Sequence, residues 1–73
     1  MWFVYILKCS NGTFYVGCTS NLDGRLNRHD SGGVLATKMR LPVVLITYIA
    51  FSDKYKAFAL EKYLKGGSGR AFL

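Results

Sequence analysis

The stretch FVYILKCSNGTFYVG, Phe3 to Gly17, decides how this chain folds. Aromatic and β-branched residues dominate both of its ends, and such residues fit a pleated, half-buried surface. Between the ends lies Ser10-Asn11-Gly12, a turn signal. The stretch therefore reads as a β-hairpin, residues 2–8 running out and 13–18 returning. Two closures are open. A two-residue Asn-Gly loop pairs Lys8 with Tyr15 and Tyr5 with Cys18, which puts the two tyrosines on opposite faces. A three-residue Ser-Asn-Gly loop, with Gly12 left-handed in a bulge, pairs Leu7 with Tyr15 and Tyr5 with Gly17. Both phenols then share one face, beside a glycine that leaves room for a ligand. A slip of one residue inverts every side chain, so the turn decides whether the phenols can cooperate. Local propensity slightly favours the shorter loop.

Beyond the hairpin, Thr19-Ser20-Asn21 opens a helix to about Asp30, with Ser20 and Asp23 as its capping box. Ser31-Gly32-Gly33 stops it. Leu22 and Leu26 mark its buried stripe, and Arg25 and His29, four apart, share the face beside it. Gly24 inside the helix signals a close approach. Residues 33–41 read as a basic loop carrying Thr37, Lys38 and Arg40, ended by Pro42. Residues 43–51 (VVLITYIAF) form the strongest strand, expected to pair with the first, and their continuous apolar character predicts cover on both faces. Asp53 starts a second helix to about Lys65, with Ala57, Leu60 and Leu64 inward and Lys54, Lys56, Lys62 and Lys65 outward. Gly66-Gly67-Ser68-Gly69 reads as a flexible end.

With 73 residues, a single domain over residues 1–73 is expected. The composition is 51% hydrophobic, which argues against disorder. Ten Lys and Arg against four Asp and Glu leave a charge of +6, which favours a polyanionic partner, nucleic acid before membrane. With two cysteines and one histidine, no zinc cage is expected. The apolar run Trp2 to Leu7 lacks a basic leader and is too short for a signal peptide or a membrane span, so the chain is expected in the cytoplasm with reduced thiols.

Taken singly, the polar residues have ordinary explanations. Tyr5 and Tyr15 suit strand packing, Arg25 a solvated helix face, His29 a helix C-terminus, and Glu61 an ion pair with Lys65 at i,i+4. Taken together, two phenols, a guanidinium, an imidazole and the protein's one glutamate are the parts needed to cut a phosphodiester. One group prepares water, a cation stabilises the pentacoordinate oxyanion, and a carboxylate holds a divalent metal.

These residues also fall in a familiar pattern. Phe3-Val4-Tyr5 followed by Tyr15-Val16-Gly17 resembles the paired motif of the GIY-YIG nuclease superfamily. The likeness continues through Asn21-Leu22-x-x-Arg25-Leu26-x-x-His29-x-Ser31-Gly32 and Ala59-Leu60-Glu61-Lys62-x-Leu64-Lys65, covering nearly the whole chain. It is greatest to the short stand-alone branch related to the N-terminal domain of the excision-repair incision subunit. The chain departs from the pattern in lacking the first motif's glycine, in holding no asparagine after Asn27, and in ending Gly66-Gly67-Ser68-Gly69-Arg70.

The resemblance implies an α+β fold, a three-stranded antiparallel sheet flanked by helices in β-β-α-β-α order. It implies hydrolysis of DNA with one Mg²⁺ or Mn²⁺, in repair or recombination. By that likeness Tyr15 or Tyr5 relays the water's proton, Arg25 binds the scissile phosphate, His29 assists and Glu61 holds the metal. Lys38, Arg40, Arg28 and Lys65 are the cations expected on the DNA backbone. Both tyrosines line one site in this family, which selects the three-residue turn. Target choice would come from DNA structure, a targeting protein or a second copy of the chain. The competing expectation is a non-catalytic nucleic-acid-binding module on the same fold, and a third is a docking domain for an acidic protein.

Overall fold

The computed structural model describes residues 1–66. Its elements are β1 (Trp2–Cys9), β2 (Phe14–Thr19), α1 (Leu22–Asp30), β3 (Val43–Phe51) and α2 (Lys54–Lys65). They form one three-stranded antiparallel sheet in the order β2-β1-β3. The α+β class and the element order are as the sequence implied.

The hairpin closes through the longer loop. Cys9 N–H donates to Thr13 O at 2.8 Å and Gly12 N–H to Cys9 O at 3.0 Å, which brackets Ser10-Asn11-Gly12. Gly12 takes φ +84°, a conformation glycine adopts without steric cost. The register follows: Leu7 faces Tyr15 and Tyr5 faces Gly17. Propensity alone leaned to the two-residue loop. The Asn11 side chain instead accepts from Thr13 N–H and from the Thr13 hydroxyl at 2.6 Å, which shapes the longer turn.

As the central strand, β1 buries Val4, Tyr5, Ile6 and Leu7. Val4 and Ile6 join Val16, Ala57 and Leu64 in the core under α2. Each large aliphatic side chain so removed from water contributes roughly 1.5–3 kcal/mol. Tyr5 and Leu7 point to the other face, toward α1 and the 34–41 segment.

Three expectations need correction. The cap of α1 is Asn21, whose Oδ1 accepts from Gly24 N–H at 3.0 Å, not a Ser20–Asp23 box. Thr19 Oγ1 holds Asn21 in place by accepting from its N–H, so the cap sits one residue later. A Cβ at residue 24 would meet that Asn21 side chain, and this is the close approach the glycine signalled. Second, α1 buries His29 rather than a leucine stripe; Leu22 and Leu26 are only half-buried. Third, β3 is not covered on both faces. It is a sheet edge with Val44, Ile46, Tyr48 and Ile49 exposed among the described residues. A continuous apolar run marks a strand able to be buried, and the sheet order here leaves it outermost.

The C-terminus of α1 closes as a Schellman motif. Gly33 N–H donates to Arg28 O at 2.7 Å and Gly32 N–H to His29 O at 3.0 Å, with Gly32 at φ +79°. The chain then winds through short turns over 34–41. Arg40 straps these turns to the hairpin: its guanidinium donates to Thr13 Oγ1 at 2.8 Å and to Ala36 O, while its carbonyl accepts from Ser10 N–H at 2.9 Å. The Gly-rich end foreseen at Gly66 to Gly69 lies beyond the described residues after Gly66, the cap residue of α2.

Candidate active site

The turn register puts Tyr5 and Tyr15 on one face of the sheet. The helix that follows brings His29 onto the same face. Their three rings form a cluster, with centroids 6.2 Å apart for Tyr5–Tyr15, 5.7 Å for Tyr5–His29 and 5.1 Å for Tyr15–His29. The Tyr5 hydroxyl lies 2.9 Å from His29 Nε2. On the far side of the imidazole, Nδ1 lies 2.7 Å from Thr37 Oγ1. Tyr5, His29 and Thr37 are all fully buried, each at 0% exposure, whereas Tyr15 is half-buried at the rim.

Gly17 has a different use from the one its place in the motif suggested. The Tyr5 ring lies directly over it, and a Cβ there would come within 2.7 Å of Tyr5 Cε1 and nearer still to Cζ and the hydroxyl. The space left by the missing side chain holds tyrosine rather than ligand.

Burial sets the protonation of the cluster. Desolvation raises the Tyr5 phenol to about 12, helped by the neighbouring Tyr15, and the adjacent Arg25 guanidinium offsets only part of this. Desolvation also lowers the His29 pKa below its ordinary value, and repulsion from Arg25 adds to the effect. Tyr5 is thus a neutral phenol and His29 a neutral imidazole at pH 7.

Glu61 stands on α2, which packs on the opposite face of the sheet. Its carboxylate pairs with Lys65 Nζ at 3.1 Å, and that same ammonium lies 5.8 Å from the Tyr15 ring centroid. Lys65 therefore bridges the carboxylate to the aromatic cluster around the β2 edge. Cys18, on that edge, is raised by burial first, then by Glu61, while Arg25 and Lys65 pull it down.

Five residues named from the sequence, Tyr5, Tyr15, Arg25, His29 and Glu61, gather around β2. Among the expected DNA contacts, Lys38, Arg28 and Lys65 are exposed. Arg40 is half-buried and spends its guanidinium on the strap to Thr13 and Ala36. An apolar groove of about 300 Å³ lined by Val4, Ile6, Thr47, Ile49, Leu60, Tyr63 and Leu64 lies on the α2 face, away from the phenols.

Comparison with known proteins now places the chain. The profile of the GIY-YIG catalytic domain matches residues 1–71. This chain belongs to the GIY-YIG family. Among GIY-YIG relatives, the UPF0213 protein YsiG of Lactococcus lactis subsp. lactis is 45% identical over 88% of this chain and 62% of its own length. The UPF0213 protein SAG0778 of Streptococcus agalactiae is 40% identical over 97% of this chain and 82% of its own. The solution NMR structure of the UPF0213 protein BH0048 from Bacillus halodurans aligns with a TM-score of 0.64 at 38% identity, covering 99% of this chain and 79% of that one. The chain thus spans 62% of the length of the Lactococcus relative. The nuclease-type fold of the GIY-YIG domain is established by these matches. No helix among the described residues is long and apolar enough to cross a membrane.

GIY-YIG domains generally use a divalent metal. The residues here fit one of a particular kind. Glu61 offers a hard oxygen donor with its side chain 24% exposed, paired with Lys65, whose side chain is 52% exposed. Among the described residues no group of three or more His, Cys, Asp or Glu forms a cage. A single carboxylate completed by water and substrate phosphate is the usual arrangement for Mg²⁺.

Sequence reasoning noted Thr37 in the basic loop and gave it no role. A threonine between Ala36 and Lys38 carries no periodic signal. What buries it is contact with His29, whose Nδ1 lies 2.7 Å from its hydroxyl, a pairing between residues eight apart that local pattern does not announce.

Proposed function

We propose that this protein is a metal-dependent endonuclease that hydrolyses DNA phosphodiester bonds, acting in the cytoplasm in repair or recombination. The observation that carries the reading is the Tyr5–Tyr15–His29 ring cluster with Arg25 beside it, linked by Lys65 to Glu61. The GIY-YIG membership and the +6 charge support it.

Exposure divides the roles. Tyr15, at the rim, is the phenol that water and substrate can reach; it releases its own proton to solvent and, as the phenolate, takes the proton from the attacking water. Tyr5 is sealed behind it. Arg25 binds the scissile phosphate and stabilises the extra charge on its equatorial oxygens as the water oxygen bonds to phosphorus and the bond to the leaving oxygen breaks. Glu61 would hold a Mg²⁺ or Mn²⁺ ion, which supplies charge neutralisation at the leaving oxygen. Lys38, Arg28 and Lys65 lie exposed for the flanking phosphates. Target choice falls to DNA structure, to a targeting protein or to a second copy.

The test is incubation with branched, flapped and plain duplex DNA, with and without Mg²⁺ or Mn²⁺, beside Glu61→Gln and Arg25→Ala. Cleavage that needs the metal and is lost in both variants is the expected result. Metal-dependent cutting retained by both variants overturns the assignment. Salt-sensitive binding without cleavage replaces it with the non-catalytic nucleic-acid-binding module.

A further inference from the structure

The segment between α1 and β3 presents two apolar side chains that the proposed chemistry does not use. Leu35 is 83% exposed and Met39 87%, more than any other large hydrophobic side chain among the described residues. One exposed leucine is ordinary on a protein surface. Here two stand on a braced turn beside the ring cluster. Thr37 and Lys38 N–H both donate to Val34 O, at 3.1 and 3.0 Å, and Arg40 N–H donates to Thr37 O at 2.9 Å. The Arg40 guanidinium ties the turn to Ala36 O and to Thr13 Oγ1, two residues from Tyr15. Thr37 takes the inward place, fully buried with its hydroxyl 2.7 Å from His29 Nδ1. Leu35 and Met39 lie two residues to either side of it. Four apart on a helical turn, two residues share one side with Cβ atoms about 5–6 Å apart. Their exposure makes that the outer side.

The charge around the pair selects its partner. Lys38 lies exposed between them, and Arg28 is exposed in the last turn of α1. No acidic residue stands between Asp30 and Asp53. An apolar tip in a wholly basic surround fits a polyanion with an apolar interior, which is what stacked bases behind a phosphate backbone are. An anionic membrane has the same two layers, but a surface anchor needs a broad apolar face. Two side chains match a base step instead, and their turn is fastened to the cluster that the phosphodiester chemistry uses.

We propose that Leu35 and Met39 form an apolar wedge that enters the base stack beside the scissile phosphate, which makes the substrate class duplex DNA with an interrupted stack, at a nick, a flap or a junction. The place beside the scissile phosphate rests on the nuclease reading; the wedge contact itself needs no cleavage. Apolar side chains that insert between base steps partly unstack and kink the duplex. The cost of separating bases is least where the stack is already broken. The wedge therefore turns DNA structure into affinity without reading sequence. Bracing helps, because a turn already in its bound shape gives up little freedom on binding.

Fluorescence anisotropy in EDTA, where no divalent metal supports cutting, compares a plain duplex with nicked and flapped duplexes of the same sequence. A 2-aminopurine base at the interruption reports unstacking. The wild type should bind the interrupted duplexes about tenfold more tightly, equivalent to about 1.4 kcal/mol, and brighten the probe. Leu35→Ser combined with Met39→Ser should bring the ratio close to one and leave the probe dim. Leu35→Met combined with Met39→Leu should keep both signals, because the apolar area remains. Both pairs alter exposed side chains, and an unfolding midpoint near that of the wild type shows that the fold is kept. A wild type without the preference, or a serine pair that retains it, overturns the proposal. So does loss of binding to phosphatidylserine vesicles in the serine pair with the DNA ratio intact, which assigns the tip to a membrane. Metal-dependent cleavage with the same preference in the serine pair as in the wild type refutes the wedge and leaves the nuclease reading standing. Absence of cleavage with the wedge signals present counts against the nuclease reading alone.

Discussion

Replacing Gly17 by alanine tests the core of the site directly. The added Cβ would sit 2.7 Å from Tyr5 Cε1, and closer to Cζ and the hydroxyl. Ordinary carbon–carbon contact is about 3.5–4.0 Å, so the ring must retreat by roughly 1 Å. It has nowhere to go: Tyr5 is 0% exposed and backed by His29 at 2.9 Å. Overpacking of this kind costs about 1–3 kcal/mol. Displacing the ring also breaks the Tyr5–His29 hydrogen bond inside the protein, worth about 1–3 kcal/mol when buried partners are left unpaired. The expected loss is therefore roughly 2–6 kcal/mol. A domain of 73 residues has about 4–11 kcal/mol in total. Equilibrium urea unfolding of the wild type, Gly17→Ala, Tyr5→Phe and the double variant measures it. Tyr5→Phe removes the hydroxyl contact and leaves the ring carbons, so it should restore only part of the loss. A Gly17→Ala protein within about 0.5 kcal/mol of wild type, the range of an ordinary surface change, would refute the close-approach reasoning.

Three further outcomes are expected. Asn21→Ala removes the side-chain acceptor for Gly24 N–H and should cost about 1 kcal/mol in the same urea experiment, while Ser20→Ala should cost little. Arg40→Met and Thr13→Val should show a coupling of about 0.5–1 kcal/mol in a double-mutant cycle, because one charge-assisted hydrogen bond joins them across the hairpin and the loop. His29 has a folded pKa below its unfolded value, so the unfolded chain binds the proton first as pH falls. Its contribution is complete above about pH 6.5 and is lost as the pH drops below that toward the folded pKa. Thermal unfolding between pH 7.5 and 5 should show this slope in the wild type and a flatter one in His29→Gln.

Much of this arrangement was legible before any coordinates. The hairpin, the two helices and the gathering of Tyr5, Tyr15, Arg25 and His29 follow from local patterns and from motif spacing along a single strand-turn-strand-helix run, whereas Glu61 comes from α2, beyond β3, and stood out as the one glutamate and through the family motif. The turn was the exception. Propensity ranks two loops almost equally, and what separated them was the requirement that both phenols share a face. The cap slipped from Ser20 to Asn21 because the Thr19 hydroxyl, two residues back, holds Asn21 in position, a preference no capping rule for isolated helices includes. The buried His29 was hidden because helix periodicity pointed to the leucines, whereas a fully buried imidazole becomes tolerable only when Tyr5 and Thr37 satisfy both nitrogens. Those partners come from 24 residues before it and 8 after. The exposure of β3 was invisible for a related reason: sheet order, not composition, decides which strand lies outermost.

The outer margin of β3 governs how this protein behaves in a tube. From Val43 to Phe51 it carries no charge, and its backbone edge faces away from β1. Natural sheets commonly guard such an edge with lysine, proline or a cover. Here the restraint on stacking copies edge to edge is long-range repulsion from the +6 charge. That repulsion reaches only about 8 Å at physiological ionic strength and about 3 Å in molar salt. The salt that would strip the protein from a polyanion therefore also removes its colloidal protection, so concentrated stocks should cloud on the high-salt side of a purification and clear again on dilution into low salt.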